Sequence, residues 1–570
     1  MLTPDRRADL PLAAGAARAA AERALSREQS GGQGREQSGG QDAPLGVPVL
    51  AYVADTAASV PQRTAVVDGD VVWTYAQLLH RTGQFATALR AAGCRAGDIV
   101  AAAGERCADS VAVLLALESL GAVYLPVHTA WPAQRVADVL RRAGAALLLA
   151  YPAGAGGASV SAAASVTAAA DVGVAVLGAP RADAPAGDGV PPVAGDRALE
   201  ARYCVFTSGT TGRPKGALVE HRGMMNHLWA KVDDLSLTAD DKVAFTAPLV
   251  FDISIWQMLA PLLAGGTVVV VRQADLKFPR ALVRALEQHA VTVVELVPTV
   301  VGWIVRAAER RAGRSLPALR WLISTGEELR PALAARVLAA ADHVRLLNAY
   351  GPTECSDDVT HHEVTAADTA RERLPVGRPI TGARLYLLVS DGNGAWRAAE
   401  PGEAGELFVG GVVVGLGYVN DPVNDAAAFH ADGLDPHSPT GRLYRTGDLA
   451  RFGDGVVHYL GRTDRQVKVS GVRMELEEIE AVLCRHPDIG GCAVLVTGPP
   501  AAPELTAFCT VGAPLETAAL RAYAGRSLPE AMVPRYFVTL DAMPLTPNGK
   551  TDLHALRRLA APDRADSAQA

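Results

Sequence analysis

Between Arg280 and Gly351 the chain alternates between two hydrophobic rhythms. "ALVRALEQH", "TVVGWIVRAAERR" and "PALAARVLAAA" space their apolar residues as helices do, while "VTVVELV", "LRWLIS" and "VRLLNAY" are short apolar runs of strand type. Helix and strand in turn predict a parallel sheet. Ligands of such sheets sit beyond the carboxyl ends of the strands, where the polar runs "STGEE" and "NAYGPTE" fall. Farther on, "GELFVGGVVVGLGYVN" and "GDGVVHYLGR" are glycine-punctuated strand patterns that predict a small β unit. After Gly461 comes a charged segment, then a helix "LEEIEAVLCRH", strands "GGCAVLVTG" and "ELTAFCTVG", and a helix "LETAALRAYAGRSL". That run reads as a separate small α+β domain.

Residues 1–44 are expected to be a disordered tail, because the tandem "REQSGGQGREQSGGQD" cannot bury enough surface to offset its ordering entropy. The Gly/Ala/Pro-rich stretch from Pro152 to about Asp196 is expected to be surface loop. At 570 residues, 49% hydrophobic and 20% charged, the chain is long enough for at least two domains of a soluble protein. A net charge of -7 gives nucleic acid no footprint. Seven scattered cysteines without a CxxC pair suggest reduced thiols rather than zinc or disulfides. No apolar run approaches a membrane span and no signal-type segment opens the chain, so a cytoplasmic location is expected.

The stretch "YCVFTSGTTGRPKG", Tyr203 to Gly216, has the composition of a linker or of a phosphate-wrapping loop. Its flanks favour the loop. Tyr203, Val205 and Phe206 read as a short strand, and "ALVEHRGMMNHLWA" has helix-compatible spacing, which pins both ends. Glycines let successive amides face an anion, hydroxyls add donors and Lys215 adds charge. It is not a Walker A loop, since Gly209 and Gly212 are separated by two residues and Lys215 precedes a glycine.

Further motifs follow in order: "FDIS" from Phe251, "NAYGPTE" from Asn348, "GELFVGG" from Gly405, "YRTGDL" from Tyr444, "GRTDRQVKVSGVRMELEEIE" from Gly461 and "NGKTD" from Asn548. With these the chain resembles the adenylate-forming superfamily, in particular the amino-acid adenylation domains of nonribosomal peptide synthetases, over about residues 45–555. Departures are few: Ser470 stands where arginine is common, and Thr551 and Leu553 replace a valine and an arginine. The resemblance implies an α/β fold. It would have a large N-terminal domain of βαβ sheets with a small β-barrel-like unit at 45–460, a small mobile C-terminal α+β domain at 461–556, and a tail at 557–570.

It also implies a ligase that joins an amino-acid carboxylate to the α-phosphate of ATP, then passes the aminoacyl group to the phosphopantetheine thiol of a carrier protein. Two anions must be neutralised and held in line. By resemblance Lys550 does this in the first step, and Lys468 takes its place in the second after rotation of the small domain about a hinge at Asp464. Glu354 would hold Mg²⁺ as a hard oxygen ligand. Thr207, Ser208, Gly209, Thr210, Thr211, Lys215 and Thr353 would serve the phosphates, Tyr350 would stack on the adenine, Asp448 would hold the ribose with Arg462 nearby, and Asn348 is counted among the nucleotide-binding residues. With no carrier-type segment after Asp552, the chain is expected to be a stand-alone enzyme that meets its carrier in trans. The family also admits a small MbtH-type helper protein.

Counting from the motifs, the resemblance places the substrate among Asp252, Ile253, Trp256, Glu295, Ile323, Thr325, Ala349, Asp357 and Asp358, completed by Lys550. Asp252 matches the carboxylate that binds an α-ammonium. Glu295, Asp357 and Asp358 then add carboxylates that repel one another unless a cation sits among them, a contact worth roughly 4 kcal/mol at about 4 Å and a dielectric of about 20. A cationic side chain of ornithine, diaminobutyrate, lysine or arginine type is therefore expected. The alternatives are an acyl- or aryl-CoA ligase, against which Asp252 speaks, and a non-catalytic nucleotide-binding homologue, against which Lys550, Glu354 and Asp448 speak.

Overall fold

The computed structural model describes residues 7–27, 45–151, 162–186, 195–209, 213–310, 315–392, 394–499, 503–512, 515–545 and 551–560. The alternating segment folds as its rhythm requires. Val293–Leu296, Trp321–Ser324 and Arg345–Tyr350 are parallel neighbours, joined by helices Pro298–Glu309 and Pro331–Ala340. They belong to a nine-stranded sheet that continues through Lys242–Phe245, Thr267–Val270 and the hairpin Thr64–Asp68 with Val71–Thr74.

A second sheet of seven strands has Ile99–Ala103, Val123–Val127 and Ala201–Thr207 at its centre. Between the two sheets lie helices Ala108–Leu120, His221–Asp234 and Ile253–Leu263, buried on nearly every face. Ala108–Leu120 and Ile253–Leu263 are apolar on nearly every side, the pattern of a core helix. Trp256, Trp321 and Tyr203 are among the largest fully buried side chains there.

Two segments differ from expectation. "ALVE" is not the start of a helix: Lys215–Glu220 is a strand, antiparallel to Ala201–Thr207, and the helix begins at His221. Four residues are too few to fix a helical period, and the preceding strand offers a ladder. The stretch from Pro152 is also more regular than expected, since Ala163–Asp171 is a helix and Ala175–Gly178 pairs with Leu147–Ala150 at the sheet edge.

The third sheet is antiparallel, built around Ala383–Ser390, Gly405–Gly411 and Arg442–Gly453. Residues 7–27, expected to be part of a disordered tail, pack on it. Helix Ala16–Arg23 leads into Leu25–Ser26, which pairs with Ala383–Ser390, and Leu10, Ala20 and Ala24 are buried with Tyr386, Leu388 and Phe408. Small alanines bury too little surface each to be read as core without the partner face. The tandem repeat beyond Arg27 lies outside the described residues.

After Arg462 comes a hairpin of Gln466–Val469 with Val472–Glu475. A three-stranded sheet of Ile489–Thr497, Glu504–Val511 and Tyr536–Leu540 follows, with helices Leu476–Leu483 and Thr517–Ala524 enclosing Met474, Ile479, Val494 and Leu520. Among the described residues no helix is long and apolar enough to cross a membrane.

Candidate active site

A cavity of about 580 Å³ opens at the carboxyl ends of the parallel strands, walled on its far side by the hairpin of the small domain. Thr207, Ser208, Asp252, Ile253, Thr325, Asn348, Ala349, Tyr350, Thr353, Asp357, Asp448, Arg462 and Lys468 all line it. Thr207 is the last residue of its strand, Thr325 follows Ser324, and Asn348 to Tyr350 end theirs. Strand ends and the turns after them thus supply most of the wall.

One end of the cavity is a polar chain. Tyr350 donates its hydroxyl to Asp448 Oδ2 at 2.5 Å, and Arg462 Nη1 donates to Asp448 Oδ1 at 2.6 Å. The same guanidinium grips Asp464 with Nε and Nη2, each at 2.7 Å. Asp448 at the cavity is thereby tied through Arg462 to Asp464.

The phosphate-type loop is engaged by the small domain. Ser208 Oγ donates to the Arg473 carbonyl at 3.2 Å and accepts from the Glu475 amide at 3.0 Å. The Gly209 amide donates to Glu478 Oε2 at 3.3 Å, and Arg135 pairs with Glu478 Oε1 at 2.7 Å. A carboxylate therefore occupies the amide that an anionic phosphate would use. Thr207 Oγ1 is buried without a hydrogen-bond partner among the described residues. Thr210 and Thr211 lie outside the described residues. Lys215 is buried 3.6 Å from Glu475 and over the Tyr418 ring, and it does not line the cavity.

Glu354 is fully enclosed. Tyr418 donates to its Oε1 at 2.6 Å and Arg473 Nη1 to its Oε2 at 2.8 Å. Burial works to raise its pKa, but Arg473, Lys215 and the Tyr418 hydroxyl overcome it and hold the carboxyl at about 2. An ionised, hard-oxygen ligand of this kind fits Mg²⁺. In the arrangement seen, Arg473 stands against it instead.

Lys468 projects into the cavity from the small domain's hairpin. Loss of hydration between the walls lowers its pKa, with Asp448 and Asp252 working the other way. Lys550, which the resemblance makes the first-step lysine, lies outside the described residues.

The substrate positions divide into two groups. Asp252, Ile253, Thr325, Ala349 and Asp357 line the cavity, whereas Trp256, Glu295, Ile323 and Asp358 are buried behind that wall. Asp252 is the N-cap of helix Ile253–Leu263, its Oδ1 accepting from the Ile253 amide at 3.0 Å. Its pKa is raised, by burial foremost, with the Thr353 hydroxyl opposing. Asp357 follows Ser356 in a turn where both have positive φ, 94° and 66°. Gly351 makes that turn feasible, since a Cβ there would lie 2.0 Å from the Asp357 carbonyl oxygen.

The acids are not left to repel one another. Lys231, on helix His221–Asp234, places Nζ 2.6 Å from Asp358 Oδ2 and 3.5 Å from Glu295 Oε1, and 4.7 Å above the Trp256 ring. Trp256 Nε1 donates to Glu295 Oε2 at 2.5 Å. The cation expected from the substrate at Glu295 and Asp358 is one that the chain itself places there, Lys231. One turn away at i, i+4 spacing, His227 faces Asp357 with Nε2 3.3 Å from Oδ2. Burial keeps His227 neutral, its pKa lowered to about 3. His227, Asp357 and Asp358 have ligand-type atoms within 4.8 Å of one another, yet Lys231 already puts an ammonium at this spot.

Arg473, Glu478, Lys231, His227 and Tyr418 were not singled out in the sequence. Arg473 and Glu478 lie within a quoted motif, so their place was marked though not their role. Lys231 lies on a helix of mixed polar and apolar residues, with no sequence signal of its own beyond an i, i+4 spacing from His227.

An α/β fold with a strand-end cavity, a nucleotide-type end and an enclosing small domain defines an adenylate-forming ligase. The chain belongs to the AMP-binding enzyme family, matching it over residues 53–419, and its C-terminal part matches the AMP-binding enzyme C-terminal domain over residues 478–550. It is 36% identical over 515 residues to a phosphinothricin tripeptide synthetase of Streptomyces viridochromogenes, with 89% of this chain and 42% of that protein aligned. With a plipastatin synthase subunit of Bacillus subtilis the identity is 34% over 507 residues, covering 88% of this chain and 19% of that one. The chain thus spans less than half the length of these relatives. It also superposes with a TM-score of 0.76 and 28% identity on a nonribosomal peptide synthetase protein containing adenylation and PCP domains, solved with a vinylsulfonamide inhibitor, over 92% of this chain and 86% of that one.

Proposed function

We propose that this protein activates an α-amino acid with a cationic side chain as its adenylate and transfers the aminoacyl group to the phosphopantetheine thiol of a carrier protein. The observation that carries this reading is that one cavity joins Asp252, a carboxylate suited to an α-ammonium, to the Tyr350, Asp448 and Arg462 chain suited to a nucleoside. In the first step a substrate carboxylate oxygen bonds to the α-phosphorus of ATP and pyrophosphate leaves. Thr207 and Ser208 would orient phosphate oxygens, Asp448 the ribose, Asp252 the α-ammonium, and Lys550 would offset the charge of the two anions. Mg²⁺ held at Glu354 would neutralise phosphate charge in that step.

In the second step the carrier thiol sulfur bonds to the acyl carbon and AMP leaves. Lys468 at the cavity, with Arg473 and Glu478 docked on Glu354 and the loop, supports assigning the described arrangement to this step. A small MbtH-type helper remains a further proposed partner. The cationic reading of the side chain rests on Asp357, an acid that lines the cavity, its buried Oδ2 3.3 Å from His227 Nε2. The test is intact-protein mass spectrometry of a carrier incubated with this enzyme, ATP and a diamino acid. Mass gain on the carrier supports the reading; acylation of free coenzyme A in preference to a carrier overturns it in favour of a CoA ligase.

A further inference from the structure

The side-chain pocket has an outer and an inner part, and they differ in what they still need. Asp357 borders the cavity, its buried Oδ2 3.3 Å from the neutral His227 and without a hydrogen bond among the described residues. Behind it Glu295 and Asp358 share the ammonium of Lys231, and Trp256 closes the space beneath that ammonium. Trp256, Ile323 and Lys231 have no exposure at all. The inner part is therefore filled with protein and already holds an ammonium between its two carboxylates.

We propose that Lys231 is a specificity-determining residue: its ammonium occupies the inner part of the pocket, limiting the substrate to a short-armed diamino acid whose side-chain ammonium is met at Asp357. This rests on the cationic reading above and narrows it to arms of one or two methylenes, as in 2,3-diaminopropionate and 2,4-diaminobutyrate. Ornithine, lysine and arginine would drive a second cation toward Nζ, where steric room is lacking and an ammonium already stands. Lys231 lies on a helix that does not line the cavity, so it acts on the substrate through Asp358, Glu295 and Trp256.

The experiment is amino-acid-dependent pyrophosphate exchange with the four linear diamino acids of increasing length, on the wild-type protein and on Lys231→Ala and Lys231→Met. Wild type is expected to lose about tenfold or more in kcat/KM between 2,4-diaminobutyrate and lysine, given what misfit methylenes cost in a closed pocket. Lys231→Ala frees the seat between Glu295 and Asp358, so ornithine or lysine should gain by about tenfold relative to the short substrates, its own ammonium replacing Nζ. Lys231→Met removes the charge but keeps the bulk, and should show no such gain. Should the alanine variant fail to fold, the wild-type length series decides alone. Lysine or ornithine as the best wild-type substrate, or an unchanged length preference in a folded Lys231→Ala, overturns the role of Lys231 while leaving the cationic reading standing. Best turnover with a neutral or acidic amino acid instead overturns the cationic reading itself.

Discussion

Arg473 Nη1 stands 2.8 Å from Glu354 Oε2, and this buried pair joins the small domain to the turn that follows strand Arg345–Tyr350. Beside it the Glu478 carboxylate accepts from the Gly209 amide. The small domain thus sets a cation against the candidate metal ligand and an anion against the phosphate loop. Removing one partner of a buried pair costs about 3 to 5 kcal/mol, because the other charge is left uncompensated. Arg473→Gln is accordingly expected to slow aminoacyl transfer from a preformed adenylate by on the order of a hundredfold, and to leave pyrophosphate exchange much less affected. Single-turnover transfer and steady-state exchange, measured side by side, check this. Equal losses in both would remove Arg473 from the docked arrangement's support.

On the proposed reading Lys550 serves adenylation and Lys468 serves transfer. Lys550→Ala should lower exchange by on the order of a hundredfold or more, the usual effect of deleting a charge that stabilises a transition state. Transfer from chemically prepared adenylate should survive in it. Lys468→Ala should do the reverse. Loss of both steps in either variant contradicts the division.

Asp464 is gripped by Arg462 at two 2.7 Å contacts where the small domain begins. Proline at this position fixes φ and removes a soft backbone torsion. Asp464→Pro is expected to suppress thioester formation much more than adenylation, read as carrier loading against exchange. Proportional loss of the two would count against a hinge here.

Binding of a diamino substrate should depend on pH. Asp357, at the cavity, has its carboxyl pushed well above the usual range, by burial foremost and then by Asp252, Asp358 and Glu295, with Lys231 opposing. It is protonated in the empty pocket at lower pH, and a substrate ammonium favours its ionised form. KM for the diamino acid should therefore fall as pH rises, with proton release on binding in weak buffer. A KM that does not change with pH would show that Asp357 does not meet the substrate's charge.

The parallel sheet was legible because its strands and helices are long apolar runs of distinct period, as in "VTVVELV" followed by "TVVGWIVRAAERR". The strand Lys215–Glu220 was not, since four residues carry no period and only Ala201–Thr207 beside them decides the outcome. Nor was the packing of residues 7–27, whose alanines become core through contact with Tyr386 and Phe408, far off in sequence. Asp252, Asp357 and Asp448 could be placed at the site by motif. Lys231 could not: a lysine in a helix is solvated unless the fold brings carboxylates to it, and here they come from two other segments, at Glu295 and Asp358.

The central claim, activation of an amino acid with a cationic side chain, is tested most directly by ATP–pyrophosphate exchange across a panel of single amino acids. Strongest exchange with a diamino acid is the expected result. Strongest exchange with leucine, phenylalanine or glutamate would contradict it.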